Sequence, residues 1–499
     1  MSGRERPLAI IDEFQSQNDT GASGQESAGN THSLFWYGKA IGEFSFDEDG
    51  KVVWGKFLDE KCENFFTTRR NDGTPQFLAN LIPDSNVFET LNQMKQEEYI
   101  SAGLRFLSNF RIVEGKADGL CEQFWAQYVD QIYGRLEDYR DEDGLFNGSY
   151  AGPIPLDFKE GTLNEFAAQC WQDRRLPRFS GMEVKIPVHL SHEGRISLAS
   201  DNSFTHILKF PVEGLQAPWG VNEWMCMQLS EAAGLKTAES ALVDLGVGEW
   251  PAYLVERFDI GTKDEQDPNV FLLEQDFCTL CSKYPDQRMY GSLEEISKAV
   301  RSVSSDWEAD AEALLKRTIL SWLVNDEDMH RKNMGMLFRY NNQTGQALGE
   351  FAPTFDVTSE IHKVPDESQT VLTIGGKIKL NKKLLVKFGE QSLGFPPEKT
   401  QNIINEMCRD VTARALELWE NPPSIAEANK QSLHCIGRIA TITCERSKTL
   451  GFEPPGMEPV DRIKFPNNLQ RKAENSLEPE GMISSHIQKS LANVDGLDR

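Results

Sequence analysis

The sequence predicts an α+β protein with two lobes, in which a mixed α/β N-terminal part is followed by an α-rich C-terminal lobe. Short stretches that alternate polar and apolar residues occupy the first half, whereas long stretches with helical periodicity occupy the second half. The length of 499 residues is sufficient for two to four domain-sized units with a large buried core. These observations favour a cleft between two lobes of different composition.

The strand predictions rest on runs rich in Val, Ile and Phe that Gly, Asp–Gly or Pro residues interrupt. Such runs occur between Leu34 and about Asp259, and they include GEFSFD, KVVWGKFL, KIPVHLS, RISLAS, THILKFP and YLVERFD. Helical patterns lie among them, and one of these, NEWMCMQLSEAAGL, ends at a glycine that suits a helix cap. We therefore expect strands and hairpins in this part, with helices between them.

The helix predictions cover most of the chain after Leu272. Four segments have helical periodicity: SLEEISKAVRSV, WEADAEALLKRTILSWLVN, PPEKTQNIINEMCRDVTARALELWE and SIAEANKQSLHCIGRIATITCERSKTLGF. The two ends of the chain differ from this pattern. Residues 1–33 are rich in Ser, Gly, Asn and Gln, and residues 454–499 mix Pro, Gly and charged residues, so we expect two loose tails. A short helix is expected near 484–491.

The charge balance argues against direct binding to nucleic acid. The chain has 52 Lys and Arg residues against 77 Asp and Glu residues, a net charge of −25, and no basic stripe that would attract a phosphate backbone.

It lacks a stretch of about 18 apolar residues and an N-terminal export signal, so we expect no membrane span and a cytoplasmic location. Nine cysteines without disulfide spacing indicate reduced thiols. Cys278 and Cys281 form a lone CxxC, and the sequence has no second Cys pair or His pair to complete four ligands, so we expect no metal site there.

The segment Ser321–Phe338, SWLVNDEDMHRKNMGMLF, carries the strongest indication of chemistry. An apolar helix end leads into a dense polar cluster and then into an apolar run. Asp328 and Asn333 are five positions apart, the interval between the base and the metal ligand in protein-kinase catalytic loops. A carboxylate can accept the proton of a hydroxyl group, and an amide oxygen suits Mg²⁺. Asp356 follows an apolar stretch and is a candidate second metal ligand.

Other interpretations of this cluster remain open on the residues alone. The polar side chains could simply satisfy a helix-to-strand turn. Asp326, Asp328 and His330 could also begin the metal site of a phosphohydrolase, although further His and Asp ligands downstream are lacking. The glycine loop GxGxxGxV and the motifs VAIK and APE are absent, which excludes an ordinary eukaryotic-type protein kinase.

Five segments together resemble the HipA family of bacterial kinases, over roughly Phe35 to Phe452. DMHRKN resembles its D-x-H-x-K-N loop, and FAPTFDVTSE resembles its P-x-Y-D-V stretch, with Phe355 in place of the usual tyrosine. FTHILKFP and LVERFDI resemble its lysine strand and its hinge. FSGMEVKIPV resembles its phosphate loop, with Glu183 in place of the usual glutamine, whose negative charge could weaken ATP binding.

The resemblance implies a role for individual residues of this chain toward ATP and Mg²⁺. It implies Asp328 as the catalytic base and Asn333 and Asp356 as metal ligands. It assigns nucleotide binding to Lys209, Lys185, Ser180, Gly181, Glu256, Phe258, His330 and Arg331, with the backbone of Glu256 and Phe258 holding adenine. We expect His330 to be a hydrogen-bonding strut rather than a metal ligand, and Arg331 to neutralise phosphate or to pair with an acid such as Asp326. Glu223 could pair with a lysine, but a helix-surface carboxylate is the favoured interpretation.

The resemblance also implies a biological role, that of a growth-inhibiting serine/threonine kinase toxin of a type II toxin–antitoxin system. A translation component, such as an aminoacyl-tRNA synthetase, would be the protein substrate. A small helix-turn-helix antitoxin, HipB-like, would neutralise the chain and supply its only contact with DNA. Ser180 is the candidate for self-phosphorylation, since Arg178 stands where the well-studied branch has its serine. A catalytically weak pseudokinase that serves as a co-repressor subunit is the alternative.

The resemblance and the composition together predict five parts of the chain. They are a disordered tail (1–33), an N-terminal subdomain (34–155), a kinase N-lobe with the phosphate loop and hinge (156–262), an α-helical C-lobe with the catalytic loop (263–453) and a loose C-terminal tail (454–499).

Overall fold

The computed structural model describes twelve stretches of the chain: 31–46, 52–71, 73–80, 110–116, 133–150, 185–199, 204–209, 218–245, 251–260, 269–362, 369–427 and 429–455. Most of both predicted tails, together with the helix predicted near 484–491, lies outside the described residues. Within these twelve stretches no helix is long and apolar enough to cross a membrane.

A four-stranded antiparallel sheet forms the N-terminal part. Its strands are β1 (His32–Trp36), β2 (Lys39–Phe46), β3 (Val52–Phe57) and β4 (Phe110–Glu114), in the order β3-β2-β1-β4. Trp36 is fully buried and stacks on Phe65 and Phe110, and its ring centroid lies 4.9 Å from that of Tyr340. The Tyr340 contact joins this sheet to the C-terminal part. Because β1 begins at His32, the predicted tail ends at least two residues earlier than expected.

A six-stranded sheet follows, and it carries the lysine strand and the hinge. Its strands are β5 (Ser149–Tyr150), β6 (Lys185–Leu190), β7 (Arg195–Leu198), β8 (His206–Lys209), β9 (Ser240–Val243) and β10 (Ala252–Glu256), in the order β5-β7-β6-β8-β10-β9. Only the β5–β7 pair is parallel. In the register, Lys209 lies opposite both Lys185 and Tyr253. β5 precedes the predicted boundary at residue 155, so this sheet draws on both predicted N-terminal units.

The C-terminal part combines helices with a three-stranded antiparallel sheet. The strands are β11 (Val270–Asp276), β12 (Gly335–Asn341) and β13 (Ala347–Phe351). The helices of the described chain are α1 (Glu60–Phe65), α2 (Gln76–Asn80), α3 (Trp219–Ala232), α4 (Phe277–Leu280), α5 (Leu293–Val303), α6 (Trp307–Val324), α7 (Lys382–Phe388), α8 (Pro397–Glu420), α9 (Ser424–Glu427) and α10 (Lys430–Thr449). Single 3₁₀ turns occur at Leu136–Tyr139 and Pro285–Gln287, and a π-helical turn occurs at Gly389–Leu393.

Local chemistry explains where the main helices begin and end. Ser292 and Asp306 cap α5 and α6, since their side chains accept hydrogen bonds from Glu295 N and Ala309 N. Asn325 ends α6 in the left-handed conformation, at φ 59° and ψ 46°, which asparagine tolerates better than most residues. The sequence predicted one long helix from Ser424 onward, but α9 stops at Glu427 and Asn429 caps a new helix, α10.

The helical core holds the elements that position the site. α3 is buried on every face from Val221 to Ser230, and α6 is buried from Arg317 to Val324. Both helices share one apolar cluster with α5, α8 and α10. Because such a core is densely packed, the ends of α3 and α6 have little freedom to shift. The α+β class with an α-rich second half is thus confirmed.

Candidate active site

The loop after α6 holds Asp328, and buried polar contacts fix it in place. Asn325 donates from Nδ2 to Glu360 O at 2.9 Å, and Glu360 N donates to Asn325 O at 3.0 Å. The Asp326 carboxylate is completely buried. It accepts from Arg317 Nη2 at 2.7 Å and from Asp328 N at 3.0 Å. Asp326 therefore supports the loop from within, and its ion pair is with Arg317 rather than Arg331.

Asp328 and Asn333 face each other across this loop. Asn333 Nδ2 donates to the Asp328 carbonyl oxygen at 2.9 Å and to Asp328 Oδ2 at 3.2 Å. Because the amide nitrogen is used in this way, the amide oxygen is the Asn333 atom suited to a cation. The Asp328 side chain is 56% exposed. Burial and the charge of Asp356 raise the pKa of Asp328 to about 6.

His330 braces the same loop in its neutral form. Its Nδ1 accepts a hydrogen bond from Lys332 N at 3.2 Å, so the proton belongs on Nε2, which lies 3.7 Å from Asp328 Oδ1. Burial and the charge of Arg288 lower the pKa of His330 to about 4. The geometry agrees with the expected strut, because the ring contacts loop atoms on both sides.

Asp356 lies between two lysines from the six-stranded sheet. Lys209 Nζ donates to Asp356 Oδ1 at 2.7 Å, and Lys185 Nζ is 4.0 Å from Asp356 Oδ2. Burial favours the neutral acid, but Lys185 and Lys209 outweigh it and hold the pKa of Asp356 well below its usual range. Asp356 has a positive φ of 52°, a conformation that is uncommon for residues other than glycine and that clusters at functional sites.

The favoured interpretation of Glu223 as a helix-surface carboxylate is wrong, because Glu223 lies inside the protein. Its carboxylate is 2% exposed and accepts from Lys209 Nζ with both oxygens, at 2.7 and 2.6 Å. The helical pattern did not reveal this, since α3 is buried all round and has no polar face. Lys209 therefore binds two carboxylates at once, Glu223 behind it and Asp356 at the cleft.

Arg331 is also placed differently from the phosphate-binding role suggested by the resemblance. Its guanidinium is completely buried, forms an ion pair with Glu295 and donates from Nε to Tyr290 O at 2.9 Å. A group held in this way inside the protein cannot approach a phosphate in the cleft. Arg331 instead fastens the segment before α5 to the catalytic loop.

The hinge residues lie at the end of β10. The Glu256 side chain points away from the cleft: it accepts from Leu136 N at 2.7 Å and pairs with Arg135 Nε at 2.5 Å. Glu256 N donates to Glu239 O at 2.8 Å, so its amide is occupied within the fold. Phe258 is half-buried, and its ring centroid lies 5.5 Å from that of Phe355. Phe258 and Phe355 thereby link the hinge to the segment that carries Asp356.

Two predicted residues, Ser180 and Gly181, lie outside the described residues, as does Glu183. Arg288 is a residue that the sequence interpretation missed. Its charge acts on both Asp328 and His330, but no motif marks it.

The CxxC cysteines are not activated thiols, since burial raises the pKa of Cys278 to about 12 and that of Cys281 to about 11.

The donor set of the cluster fits Mg²⁺ shared with phosphate. Among the described residues no group of three or more His, Cys, Asp and Glu side chains could hold a metal by itself. The ionised carboxylate of Asp356 is near enough to act on Asp328, and the Asn333 amide is hydrogen-bonded to Asp328, so one carboxylate and one amide group lie near Asp328. Mg²⁺ commonly takes one or two such oxygens from the protein and the remaining ligands from water and substrate phosphates.

Comparison with known proteins gives a domain match and two curated relatives named as kinases. Residues 178–415 match the model of the HipA-like C-terminal domain. A curated relative from Sinorhizobium fredii, "Putative kinase Y4dM", is 25% identical over 256 residues, which are 47% of this chain and 57% of the relative. A second from the same organism, "Putative kinase Y4mE", is 28% identical over 208 residues, covering 40% of this chain and 46% of the relative. The chain thus spans about half the length of these curated relatives.

A solved structure resembles the fold over a longer stretch. It is HipA of Shewanella oneidensis, from a complex with HipB and operator DNA, with a TM-score of 0.56 and 18% sequence identity. The match covers 84% of this chain and 98% of the Shewanella chain. At this identity the likeness concerns the fold, and it extends well beyond the limits of the matched domain model.

Proposed function

The chain carries a HipA-like C-terminal domain and belongs to the HipA family, and on this premise we propose that it is an ATP- and Mg²⁺-dependent protein serine/threonine kinase. The observation that carries the proposal is the convergence of Lys209, Glu223 and Asp356 beside the Asp328–Asn333 pair. These side chains come from the six-stranded sheet, from α3 and from two loops of the C-terminal part. Together they supply a positive charge for phosphates, carboxylate and amide groups for a metal ion, and a carboxylate that can serve as a base, which are the groups that phosphoryl transfer needs.

Each residue of the cluster has a proposed role in transfer. Lys209, which Glu223 orients from behind, binds nucleotide phosphates, and Lys185 adds a second positive charge. Asn333 Oδ1 and Asp356 hold Mg²⁺, which when bound supplies charge neutralisation on the transferred phosphoryl group. Asp328 accepts the proton of the attacking hydroxyl group. A pKa of about 6 keeps Asp328 ionised at neutral pH while leaving it basic enough to accept a proton.

The same proposal covers the remaining nucleotide contacts. We assign the phosphate loop to the segment of Ser180 and Gly181, which leads into β6 and Lys185. At the hinge, the backbone amide of Glu256 is already used by Glu239 O, so the adenine contacts fall to the Glu256 carbonyl group and to the backbone of Phe258. His330 acts as a loop brace, in accord with its lowered pKa.

The biological role forms a further part of the proposal. We propose a growth-inhibiting toxin with a translation component as substrate, an aminoacyl-tRNA synthetase being the candidate, and control by phosphorylation of Ser180. A HipB-like helix-turn-helix antitoxin would bind the chain and provide its contact with DNA in the bacterial cytoplasm. A net charge of −25 supports this division of labour, because such a chain repels a phosphate backbone. In its solved complex the similar Shewanella protein is assembled with HipB and operator DNA, which agrees with this proposal.

Neither alternative function is favoured by an observation. A pseudokinase commonly lacks part of the catalytic set, whereas Lys209, Asp328, Asn333 and Asp356 are all present here. A phosphohydrolase centred on Asp326, Asp328 and His330 would need the Asp326 carboxylate in the cleft. That carboxylate is completely buried against Arg317.

Transfer of a labelled phosphate tests the proposal. The chain is incubated with Mg²⁺, ATP labelled in the γ-phosphate, and bacterial lysate, and the labelled proteins are hydrolysed to phosphoamino acids. Label on phosphoserine or phosphothreonine is the expected result. Label on phosphotyrosine alone would contradict the residue specificity, and the absence of any labelled protein would contradict the kinase assignment.

A further inference from the structure

Helix α3, which carries Glu223, is also attached at both of its ends to the segment that carries Asp356. This segment, residues 353–361, follows β13. Thr354 lies two residues before Asp356, and Ser359 lies three residues after it. Both Thr354 and Ser359 are buried, and each is hydrogen-bonded to one end of α3 or to the residues that follow it. One helix is thus connected to both carboxylates of the proposed nucleotide site.

The attachment at the C-terminal end of α3 joins backbone atoms. Thr354 N donates to Lys236 O at 2.7 Å, and Ala238 N donates to Thr354 O at 2.9 Å. Thr237 and Thr354 thereby form a parallel bridge, a few residues after α3 ends at Ala232. Because backbone groups make these bonds, the bonds do not depend on the identity of a particular side chain.

The attachment at the N-terminal end of α3 depends on the side chain of Asn222. Asn222 Oδ1 accepts from Ser359 N at 2.7 Å, and Asn222 Nδ2 donates to Ser359 O at 2.8 Å. The amide group thus satisfies both backbone polar groups of a residue that lies 137 positions away. Asn222 and Ser359 are each 6% exposed, so loss of the amide would leave buried polar groups without a partner.

Asparagine is an unfavourable residue at position 222 for helix formation alone. Asn222 lies inside α3, whose first residue is Trp219, and asparagine has a lower helix propensity than alanine. Its neighbours Val221, Trp224 and Met225 belong to the apolar core cluster. A buried amide in such surroundings costs free energy unless it is hydrogen-bonded. The contact with the Asp356 segment is therefore the physical reason for an amide at this position.

The backbone of Asp356 explains why this attachment matters. Asp356 has a φ of 52°, a left-handed conformation that a residue with a Cβ atom keeps only where the surrounding structure holds it. The fixed positions of Thr354 and Ser359, one on each side, provide that restraint. Release of Ser359 would let the segment relax, and the Asp356 carboxylate would then leave its place beside Lys209.

We propose that Asn222 is a positioning residue for the metal ligand Asp356. The inference rests on the proposed kinase function and deepens it, because it names a residue that keeps the Asp356 carboxylate in place for Mg²⁺. Asn222 contacts neither metal nor nucleotide and acts through the backbone of Ser359. Since Asn222 precedes Glu223 on α3, one helix sets the position of the metal ligand together with that of the partner of Lys209.

Amide hydrogen exchange tests this role in the chain without nucleotide or metal. Asn222→Ala removes the acceptor of the Ser359 amide, so peptides from residues 354–361 should exchange roughly tenfold faster than in the wild type. Gln228→Ala is the matched control. Gln228 is also a buried amide on α3, at 3% exposed, but its oxygen accepts from Arg414 Nη2 of α8 at 2.9 Å. This control should leave exchange of residues 354–361 as in the wild type.

Binding of a non-hydrolysable ATP analogue, measured with Mg²⁺ and with EDTA, gives a second readout. In the wild type Mg²⁺ should tighten binding. Asn222→Ala should reduce this Mg²⁺-dependent gain in affinity by roughly five- to tenfold, while the dissociation constant in EDTA stays close to that of the wild type. Gln228→Ala should keep the full gain. Because Asn222 acts through Asp356, adding Asn222→Ala to Asp356→Asn should cause no further loss of the gain.

The outcomes separate this inference from the proposed function. Unchanged exchange of residues 354–361 in Asn222→Ala, or equal losses of the Mg²⁺-dependent gain in Asn222→Ala and Gln228→Ala, would overturn the positioning role alone. Additive losses in the double variant would also overturn it. Asn222→Leu, which fills the same space without hydrogen bonds, replaces Asn222→Ala in every assay if the alanine variant does not fold. Absence of nucleotide binding by the wild type, with Mg²⁺ and with EDTA, would overturn the proposed function and this inference together.

Discussion

Replacement of Glu223 by glutamine probes the contact on which the nucleotide site depends. Glu223 is 2% exposed, and both of its oxygens accept from Lys209 Nζ, which is itself buried. Glutamine keeps the size of the side chain but removes the charge and one acceptor oxygen. Lys209 then retains one carboxylate partner, Asp356, and should move toward it. Lys209 would then pair more closely with Asp356, and the Asp356 carboxylate would be less available to a cation.

The expected magnitude follows from the burial of the pair. Breaking a buried ion pair by removing one partner costs about 3–5 kcal/mol. The remaining Asp356 contact and the glutamine oxygen offset part of this, so we expect a loss of roughly 3 kcal/mol in the free energy of unfolding. In a unit of 150–250 residues that loss lowers Tm by roughly 6–12 °C. The dissociation constant for Mg·ATP should rise at least about tenfold, which corresponds to roughly 1.4 kcal/mol.

Thermal melts and nucleotide titration measure both effects, with Glu231→Gln as the matched control. Glu231 lies on the same helix, α3, but its side chain is 34% exposed and it pairs with Arg140 at 2.7 Å. Such a pair contributes at most about 1 kcal/mol, so the control should melt within roughly 4 °C of the wild type and bind Mg·ATP normally. If Glu223→Gln behaves like this control in both assays, Glu223 does not hold Lys209 and the proposed nucleotide site is wrong.

Three further predictions address the cleft. Asp356→Asn should bind Mg²⁺ poorly and reduce labelled phosphate transfer by orders of magnitude in a chain that still folds; near-wild-type transfer would remove Asp356 as a metal ligand. Because burial and Asp356 raise the pKa of Asp328 to about 6, and only the ionised form accepts a proton, kcat/KM should fall by about tenfold per pH unit below roughly pH 6 and level off above it. A flat profile from pH 5 to 8 would count against Asp328 as the base. Ser180→Ala should stay active longer than the wild type during incubation with Mg·ATP, and phosphopeptide mapping that places the label elsewhere would end the regulatory role of Ser180.

The sequence indicated the elements of the cleft because their signals are local. Asp328 and Asn333 are five positions apart and belong to one loop, so a motif records both. The alternation in THILKFP and the apolar run before Asp356 likewise reflect short-range structure. The structure brings Lys209, Asp328, Asn333 and Asp356 to one opening. Lys209 ends β8, whereas Asp328, Asn333 and Asp356 lie in the loops that follow α6 and β13.

Long-range contacts explain where the sequence interpretation differed. The interpretation placed Glu223 on a helix surface, yet α3 is buried on all sides, and no periodicity distinguishes its faces. Arg331 stands beside His330 in a motif full of cleft residues, but Glu295, which lies 36 positions earlier, draws its guanidinium inward. Arg288 acts on Asp328 from a segment without any motif. Each case depends on packing between elements that are distant in sequence.

Acceptor-dependent release of ADP is the most direct measurement of the central claim. ADP is followed with the full chain, Mg²⁺ and ATP, with and without bacterial protein acceptors, and in parallel with Asp328→Asn, whose folding is checked by its melt. The account predicts that acceptor proteins stimulate ADP release, that labelled phosphate appears on them in equal amount, and that Asp328→Asn reduces both by about 10²–10⁴-fold. ADP release that needs no acceptor and leaves free phosphate, or a well-folded Asp328→Asn chain with undiminished transfer, would contradict it.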